Sequence, residues 1–295
     1  MSGPKYKVAL RGGFADRNGI KQENRILQTD ALDYRTRVKL MNLMNSFYYT
    51  VFEDKTYDAI QSFWRSILSN VYVLPVDYSG NKSYESRDLF LIINETMLTD
   101  DFACVLSLLE YFINRLGEQE GVPEDVLRDV VNDILKEECV GVRFIGRQII
   151  PIYDENETSA VEDALKSPYE QVHRHIEKAL KFFSDSDHPD YANSIKESIT
   201  AVEAMCSVIN GKAKNLGDAL KKLEENGVVI HPALKEGFIK IYGYTSDAAG
   251  IRHSGQLGGA DATFDEAKYM LVSCSAFINY LKGCLSGCQA EEEIR

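Results

Sequence analysis

The feature that most constrains the fold of this chain is a helical period of apolar residues that recurs along most of its length. Five segments between Thr29 and Leu135 carry apolar residues at spacings of three and four, and a second series runs from Thr158 to Leu281. No internal repeat is visible. Because such stripes are buried by packing helix on helix, the pattern predicts a mostly α-helical protein.

Local signals predict where several of these helices begin and end. Thr29 or Asp30 is the predicted N-cap of the first helix, and Pro123 is expected in the first turn of the fifth. Gly227 should end a short helix, and the last apolar stripe runs from Phe264 to Leu281.

Between Val140 and Ile152 the apolar period changes to two, which predicts a short β-hairpin turning at Gly146-Arg147. A polar run at 154–157 follows, and a length of 295 residues suits two domains. The predicted organisation is a helical domain over 1–156 that ends in the hairpin, a helical bundle over 157–286, and a polar tail over 287–295.

Charge and composition narrow the function classes. The net charge is −12, which argues against a protein that coats nucleic acid. The second half is close to neutral, so the charge permits a nucleic-acid site only there, and only as a small patch. No apolar run is long enough for a membrane span or a signal peptide, so we expect no membrane association and a cytoplasmic location. The six cysteines and five histidines show no metal-ligand spacing, so no metal and no cofactor are predicted.

The segment from Tyr242 to Ala260 is the strongest candidate for chemistry. It is predicted to be an irregular connection, and its five glycines would let backbone N–H groups approach a ligand. An arginine beside glycines suits phosphate binding, and a histidine can move a proton near neutral pH. The polar and aromatic candidates in this segment are Tyr244, Thr245, Ser246, Asp247, Arg252, His253 and Ser254.

A structural interpretation of the same residues stays open. Arg252 would then pair with Asp247 or with a helix C-terminus, His253 would cap a turn, and Tyr244 would be a packed aromatic. The glycines match neither a Walker phosphate loop nor the Gly-x-Ser-x-Gly elbow of serine hydrolases.

Two parts of the chain resemble known families. The segment Phe14–Lys21 and the helix from Leu32 to Leu43 resemble the fourth class of AbiJ-type N-terminal domain. The second half resembles a HEPN domain through the segments Asn193–Glu203, Leu216–Leu223, His231–Leu234 and Tyr242–His253. This resemblance implies a helical bundle that forms homodimers, a metal-independent ribonuclease acting in phage defence, and an N-terminal domain that senses a phage or host trigger. Arg17, Asn18 and Arg25 lie in a polar segment and are candidate contacts for this trigger; the alternative is that they are solvated turn residues.

The resemblance also implies roles for the loop residues. Arg252 and His253 would be catalytic, Glu203 or Asp247 would orient the imidazole, and Thr245 or Ser246 would bind a phosphate oxygen, with Ser254 in support. Tyr244 would stack on an unpaired base. In the family the histidine follows the arginine after several positions, whereas here the two are adjacent. Two alternatives therefore stay open: a non-catalytic module that binds a nucleotide, nucleic acid or a partner protein, and a structural adaptor.

Overall fold

The computed structural model describes Phe14, Asn18 and residues 27–77, 84–185, 188–210, 216–225, 227, 229–246 and 262–292. For 210, 244–246 and 286–292 it describes the backbone alone. Within these residues the regular structure consists of eleven helices and one antiparallel two-stranded hairpin. The prediction of a mostly α-helical protein with a single short hairpin is therefore confirmed.

The chain divides into two compact units, Met1–Ile149 and Ile150–Arg295. Unit 1 contains five helices in the part of the chain that the structure describes, followed by the hairpin. The division falls inside the second strand, whereas the polar run in the sequence predicts it between residues 156 and 157. The elements of unit 1 are α1 Tyr34–Phe52, α2 Tyr57–Asn70, α3 Ser86–Thr99, α4 Phe102–Gly117, α5 Glu124–Glu137, and the hairpin strands β1 Arg143–Ile145 and β2 Gln148–Ile150.

Helix α4 lies at the centre of unit 1 and contacts α1, α2, α3 and α5. Its apolar stripe is fully buried, as the period of three and four predicts. An aromatic cluster fills the space between α1, α2, α3 and α4, and Trp64 Nε1 donates a hydrogen bond of 2.8 Å to the Tyr48 hydroxyl inside it. The members of the cluster are Tyr48, Phe52, Phe63, Trp64, Phe90 and Phe112.

Helix α1 begins later than its sequence predicts. Its N-cap is Asp33, whose carboxylate accepts a 2.8 Å hydrogen bond from Thr36 N, so the prediction of Thr29 or Asp30 was wrong. The preceding residues are extended because Gln28 pairs with the turn after α5: Gln28 N donates to Cys139 O and Gly141 N donates to Gln28 O, both at 2.8 Å. A long-range backbone pairing thus overrides a local capping signal.

Unit 2 contains six helices in the described residues, and α8 is the helix that the others share. It contacts α7, α9, α10 and α11, while α11 also contacts α6 and α7. Gly227 has a φ of +94° just after α9, which confirms the predicted stop. Helix α11 continues to Glu292, beyond the last apolar residue of its stripe and into the segment predicted to be a polar tail. The helices are α6 Glu155–Leu165, α7 Glu170–Ser184, α8 Tyr191–Asn210, α9 Leu216–Glu225, α10 Pro232–Ser246 and α11 Phe264–Glu292.

Helix α10 differs from the other helices of unit 2 in its burial. None of its described side chains is buried, and it packs against α8 and α9, with Phe238 stacked on Phe277 of α11. No helix in the described part of the chain combines the length and apolarity that crossing a lipid bilayer would require.

Candidate functional site

The residues predicted to carry chemistry divide into three groups. Asp247, Arg252, His253 and Ser254 lie outside the described residues, as do Arg17 and Arg25. Tyr244, Thr245 and Ser246 form the last turn of α10, and only their backbone is described. The prediction that the irregular connection begins near Tyr242 was therefore wrong, because the helix continues through Ser246. Glu203 on α8 and the first-domain candidate Asn18 are described in full.

Glu203 is the second-domain site candidate whose side-chain contacts are described. Its carboxylate accepts a hydrogen bond from the Tyr242 hydroxyl of α10. Both side chains are partly buried. Because Glu203 is on α8 and Tyr242 is in the C-terminal half of α10, the hydrogen bond joins the two helices. Arg252 follows the last residue of α10 by six positions in the sequence. A carboxylate is therefore held beside the helix from which the chain leads to Arg252 and His253.

Glu203 has a buried thiol near it on α8. Cys206 lies one turn further on, where burial, reinforced by the negative charge of Glu203, raises the pKa of its thiol to about 12. A thiol with this pKa stays protonated at neutral pH, and so Cys206 is excluded as a nucleophile. Ser207 Oγ donates to the backbone carbonyl of Glu203 at 3.0 Å and does not contact its carboxylate. The carboxylate is bound by Tyr242 and has further partners.

A small apolar cavity of about 30 Å³ lies between α8, α9, α10 and α11. Tyr242 lines it with its ring while its hydroxyl binds Glu203. The Phe238 and Phe277 rings stack in its wall with centroids 3.6 Å apart. The remaining lining residues are Ile199, Val202, Leu216, Ile241, Met270, Ser273 and Cys274.

Tyr242 is a site residue that the sequence analysis did not predict. The aromatic candidate in this segment was Tyr244. A signal was present: Phe238, Ile241 and Tyr242 follow the period of three and four that places them on one face of α10. Glu203 lies at the edge of the buried face of α8, beside Val202 and one turn before Cys206. A partly buried carboxylate at such an edge needs a polar partner.

A histidine–carboxylate pair also escaped the sequence reasoning. His175 Nδ1 lies 2.6 Å from Glu197 Oε2 between α7 and α8, and both side chains are largely buried. His173 faces elsewhere and its Nδ1 lies 2.6 Å from the Leu165 carbonyl oxygen, as the helical spacing of the two histidines predicts. In the described ranges no three His, Cys, Asp or Glu side chains are grouped so that they could hold a metal ion.

Comparison with known protein families identifies the first part of the chain. The AbiJ N-terminal domain 4 matches residues 12–167, which is more than half of the sequence. The chain belongs to this family. No curated protein and no solved structure matches the chain.

The AbiJ domain spans all five helices and the hairpin of unit 1 and extends through α6. The resemblance of Phe14–Lys21 and of the first helix to AbiJ-type domains is thereby confirmed. Because the match ends at residue 167, the HEPN assignment of the following helices stays a prediction. Membership of the AbiJ family suggests a context of abortive infection and phage defence.

Proposed function

We propose that this AbiJ-family protein is a metal-independent endoribonuclease of phage defence, whose second half is a HEPN domain that cleaves RNA. The observation that supports it best is the contact between Tyr242 and Glu203, which holds a carboxylate beside α10. The sequence after α10 supplies Arg252 and His253. A carboxylate, a guanidinium and an imidazole are together suited to acid–base chemistry on a phosphodiester.

In the proposed reaction the ribose 2′-oxygen attacks the adjacent phosphorus and the bond from phosphorus to the 5′-oxygen breaks. His253 accepts the proton of the 2′-hydroxyl and a proton is returned to the departing 5′-oxygen. Arg252 stabilises the additional negative charge on the phosphoryl oxygens. The products are a 2′,3′-cyclic phosphate and a 5′-hydroxyl, so side chains supply every proton transfer.

The supporting roles are those that the HEPN resemblance implies. Glu203 or Asp247 orients the His253 imidazole, and the hydrogen bond from Tyr242 in turn positions Glu203. Thr245 or Ser246, with Ser254, binds a phosphate oxygen. Tyr244 stacks on an unpaired base of the RNA.

The proposal includes a homodimer formed through unit 2, which would place two copies of the Arg252-His253 segment together. Exposed apolar side chains on α8, on α10 and in the segment before α10 support it. Val229 is 93% exposed and Leu234 is 43% exposed. Val208 and Ile239 are each 40% exposed. A second copy that covers these side chains would remove apolar surface from water.

The test is incubation of the purified full-length chain with total RNA, with mapping of the new ends, in magnesium and separately in EDTA. Arg252→Ala and His253→Ala are each expected to lower cleavage by about 100-fold or more. Arg174→Ala and His188→Ala are matched controls, since both residues are exposed in unit 2, and they should cleave like the parent protein. Cleavage that survives both loop substitutions would refute the proposal.

A second candidate function is a non-catalytic HEPN module that binds a nucleotide, nucleic acid or a partner protein. It is favoured by the adjacency of Arg252 and His253 and by the net charge of −12. Salt-dependent RNA binding without any product would support this function. End-labelled RNA measured for both binding and cleavage in one experiment separates the two functions.

A further inference from the structure

A polar seam runs between helices α2 and α4 at the partly exposed edge of the core of unit 1. It consists of Ser62, Arg65 and Ser66 on α2 with Tyr111 and Arg115 on α4. The two serines and Arg65 lie at spacings of three and four, so they occupy one face of α2. Tyr111 and Arg115 are four apart and occupy one face of α4. We call these five residues the α2–α4 seam.

Two side-chain hydrogen bonds join the facing sides of α2 and α4. The Ser66 and Tyr111 hydroxyls are hydrogen-bonded at 2.7 Å. One turn away, Arg115 Nη2 donates to Ser62 Oγ at 3.5 Å. Arg65 lies between Ser62 and Ser66 on the same face of α2, so these contacts bracket it. Arg65 and Arg115 therefore both lie on the seam, on facing helices.

Arg65 makes no hydrogen bond and no ion pair in the part of the chain that the structure describes. Its Nε is shielded from solvent and has no acceptor, although the residue as a whole is only partly buried. The Nε of Arg115 is shielded and lacks an acceptor in the same way. Two guanidinium groups on one seam thus each present an N–H that no oxygen satisfies, which costs free energy in the unliganded protein.

The carboxylate that contacts the seam is shared between two arginines. Glu118 accepts from Arg115 Nη1 at 2.6 Å and also from Arg147 Nη2 at 2.7 Å. Arg65 adds a further positive charge to the seam and makes no ion pair with Glu118. An acceptor with several oxygens is needed to satisfy both Nε–H groups.

We propose that the α2–α4 seam binds a phosphate group, presented by a small phosphorylated molecule or as free phosphate. Planar guanidinium groups match the geometry of phosphate oxygens and bind them through paired hydrogen bonds. The Ser62 and Tyr111 hydroxyls stand beside them as further donors. This site belongs to unit 1 and goes beyond the ribonuclease proposal, because binding is measured without RNA.

The experiment is calorimetric titration of the full-length protein at low ionic strength in a buffer without phosphate or sulfate. Inorganic phosphate is one probe and adenosine 5′-monophosphate is the other, so free and organic phosphate are distinguished. The variants are Arg65→Gln, which removes the charge, and Arg65→Lys, which keeps the charge but loses the planar group. Arg87→Gln is the matched control, since Arg87 is an exposed arginine on α3 of the same unit.

We expect at least one probe to bind and Arg65→Gln to weaken that binding by about tenfold to a hundredfold. Arg65→Lys should weaken it less, and Arg87→Gln should change it less than about twofold. In phosphate-free buffer Arg65→Gln should not lower the unfolding midpoint of unit 1, read by Trp64 fluorescence, because Arg65 has no partner to lose.

Three results would overturn the proposal. One is the absence of binding for both probes, and another is an equal loss of affinity in Arg65→Gln and Arg87→Gln. The third is unchanged affinity in both Arg65 variants. If Arg65→Gln fails to fold, Arg65→Lys decides, since a loss of affinity in a folded Arg65→Lys protein supports the site and unchanged affinity refutes it.

Discussion

Replacing Glu138 by glutamine is expected to destabilise unit 1 strongly. The Glu138 side chain is fully buried at the end of α5. Arg35 Nε donates to its two carboxylate oxygens at 3.0 and 2.9 Å, and Lys39 Nζ lies 2.6 Å from Oε1. Glutamine keeps the shape of the side chain but leaves two cations without this counterion. The substitution therefore isolates the charge.

The expected cost can be worked from the surroundings. Removing one partner of a buried ion pair costs about 3–5 kcal/mol of unfolding free energy. The lower end applies here because Arg35 and Lys39 are 18% and 29% exposed, and because Glu137 stays 2.7 Å from Lys39 Nζ. We therefore expect a loss of about 3 kcal/mol, which corresponds to about 6–12 °C in the midpoint of a unit of this size.

The assay is urea unfolding for the free energy and thermal unfolding for the midpoint, both followed by tryptophan fluorescence. Trp64 is the single tryptophan of the chain and lies in the core of unit 1, so the signal reports this unit. Glu137→Gln is the matched control: the same charge is lost at the neighbouring position, where the side chain is 43% exposed. It should cost about 1 kcal/mol or less. Equal losses in the two variants would refute the reasoning, since they would show that burial of Glu138 adds nothing.

Two further predictions concern groups whose pKa is raised by burial. Glu110 accepts a hydrogen bond from Ile149 N, but burial raises its pKa, so its ionised form costs stability at neutral pH and this cost fades as the pH falls towards the unfolded value. Glu110→Gln should therefore be more stable than the parent at pH 7 and equal to it near pH 4, and a parent that is more stable at pH 7 would contradict this. The thiols of Cys206 and Cys274 have pKa values of about 12, so at pH 8 they should be alkylated about 1,000-fold more slowly in the folded protein than after unfolding. Mass spectrometry of alkylated peptides measures this, and rapid labelling of either residue in the folded protein would contradict it.

The helices and the hairpin were predictable because their signals are local. The apolar stripe of α4, the turn at Gly146-Arg147 and the stop at Gly227 depend on residues a few positions apart, and the structure contains all three. The start of α1 was not predictable in this way. Its N-cap is Asp33 because Gln28 pairs with Cys139 and Gly141, more than a hundred residues away in the sequence.

The same distinction between local signals and long-range contacts applies to the candidate sites. On the basis of a family resemblance, Glu203 was predicted to orient a catalytic group. Its partner Tyr242 is known only from the packing of α10 against α8. Arg65 gave no signal in the sequence, where it is one arginine between polar and apolar neighbours. Its lack of a partner is a property of the packing of α2 against α4.

The sequence by itself determined that this chain is helical, where its hairpin turns and which face of most helices is buried, because periodicity and turn chemistry act between near neighbours. Only the tertiary structure decided which polar side chains meet. Glu138 is neutralised by Arg35 and Lys39, whereas Arg65 is left without an acceptor. Such pairings depend on distances between residues far apart in the chain, and charge energies change steeply with those distances and with burial.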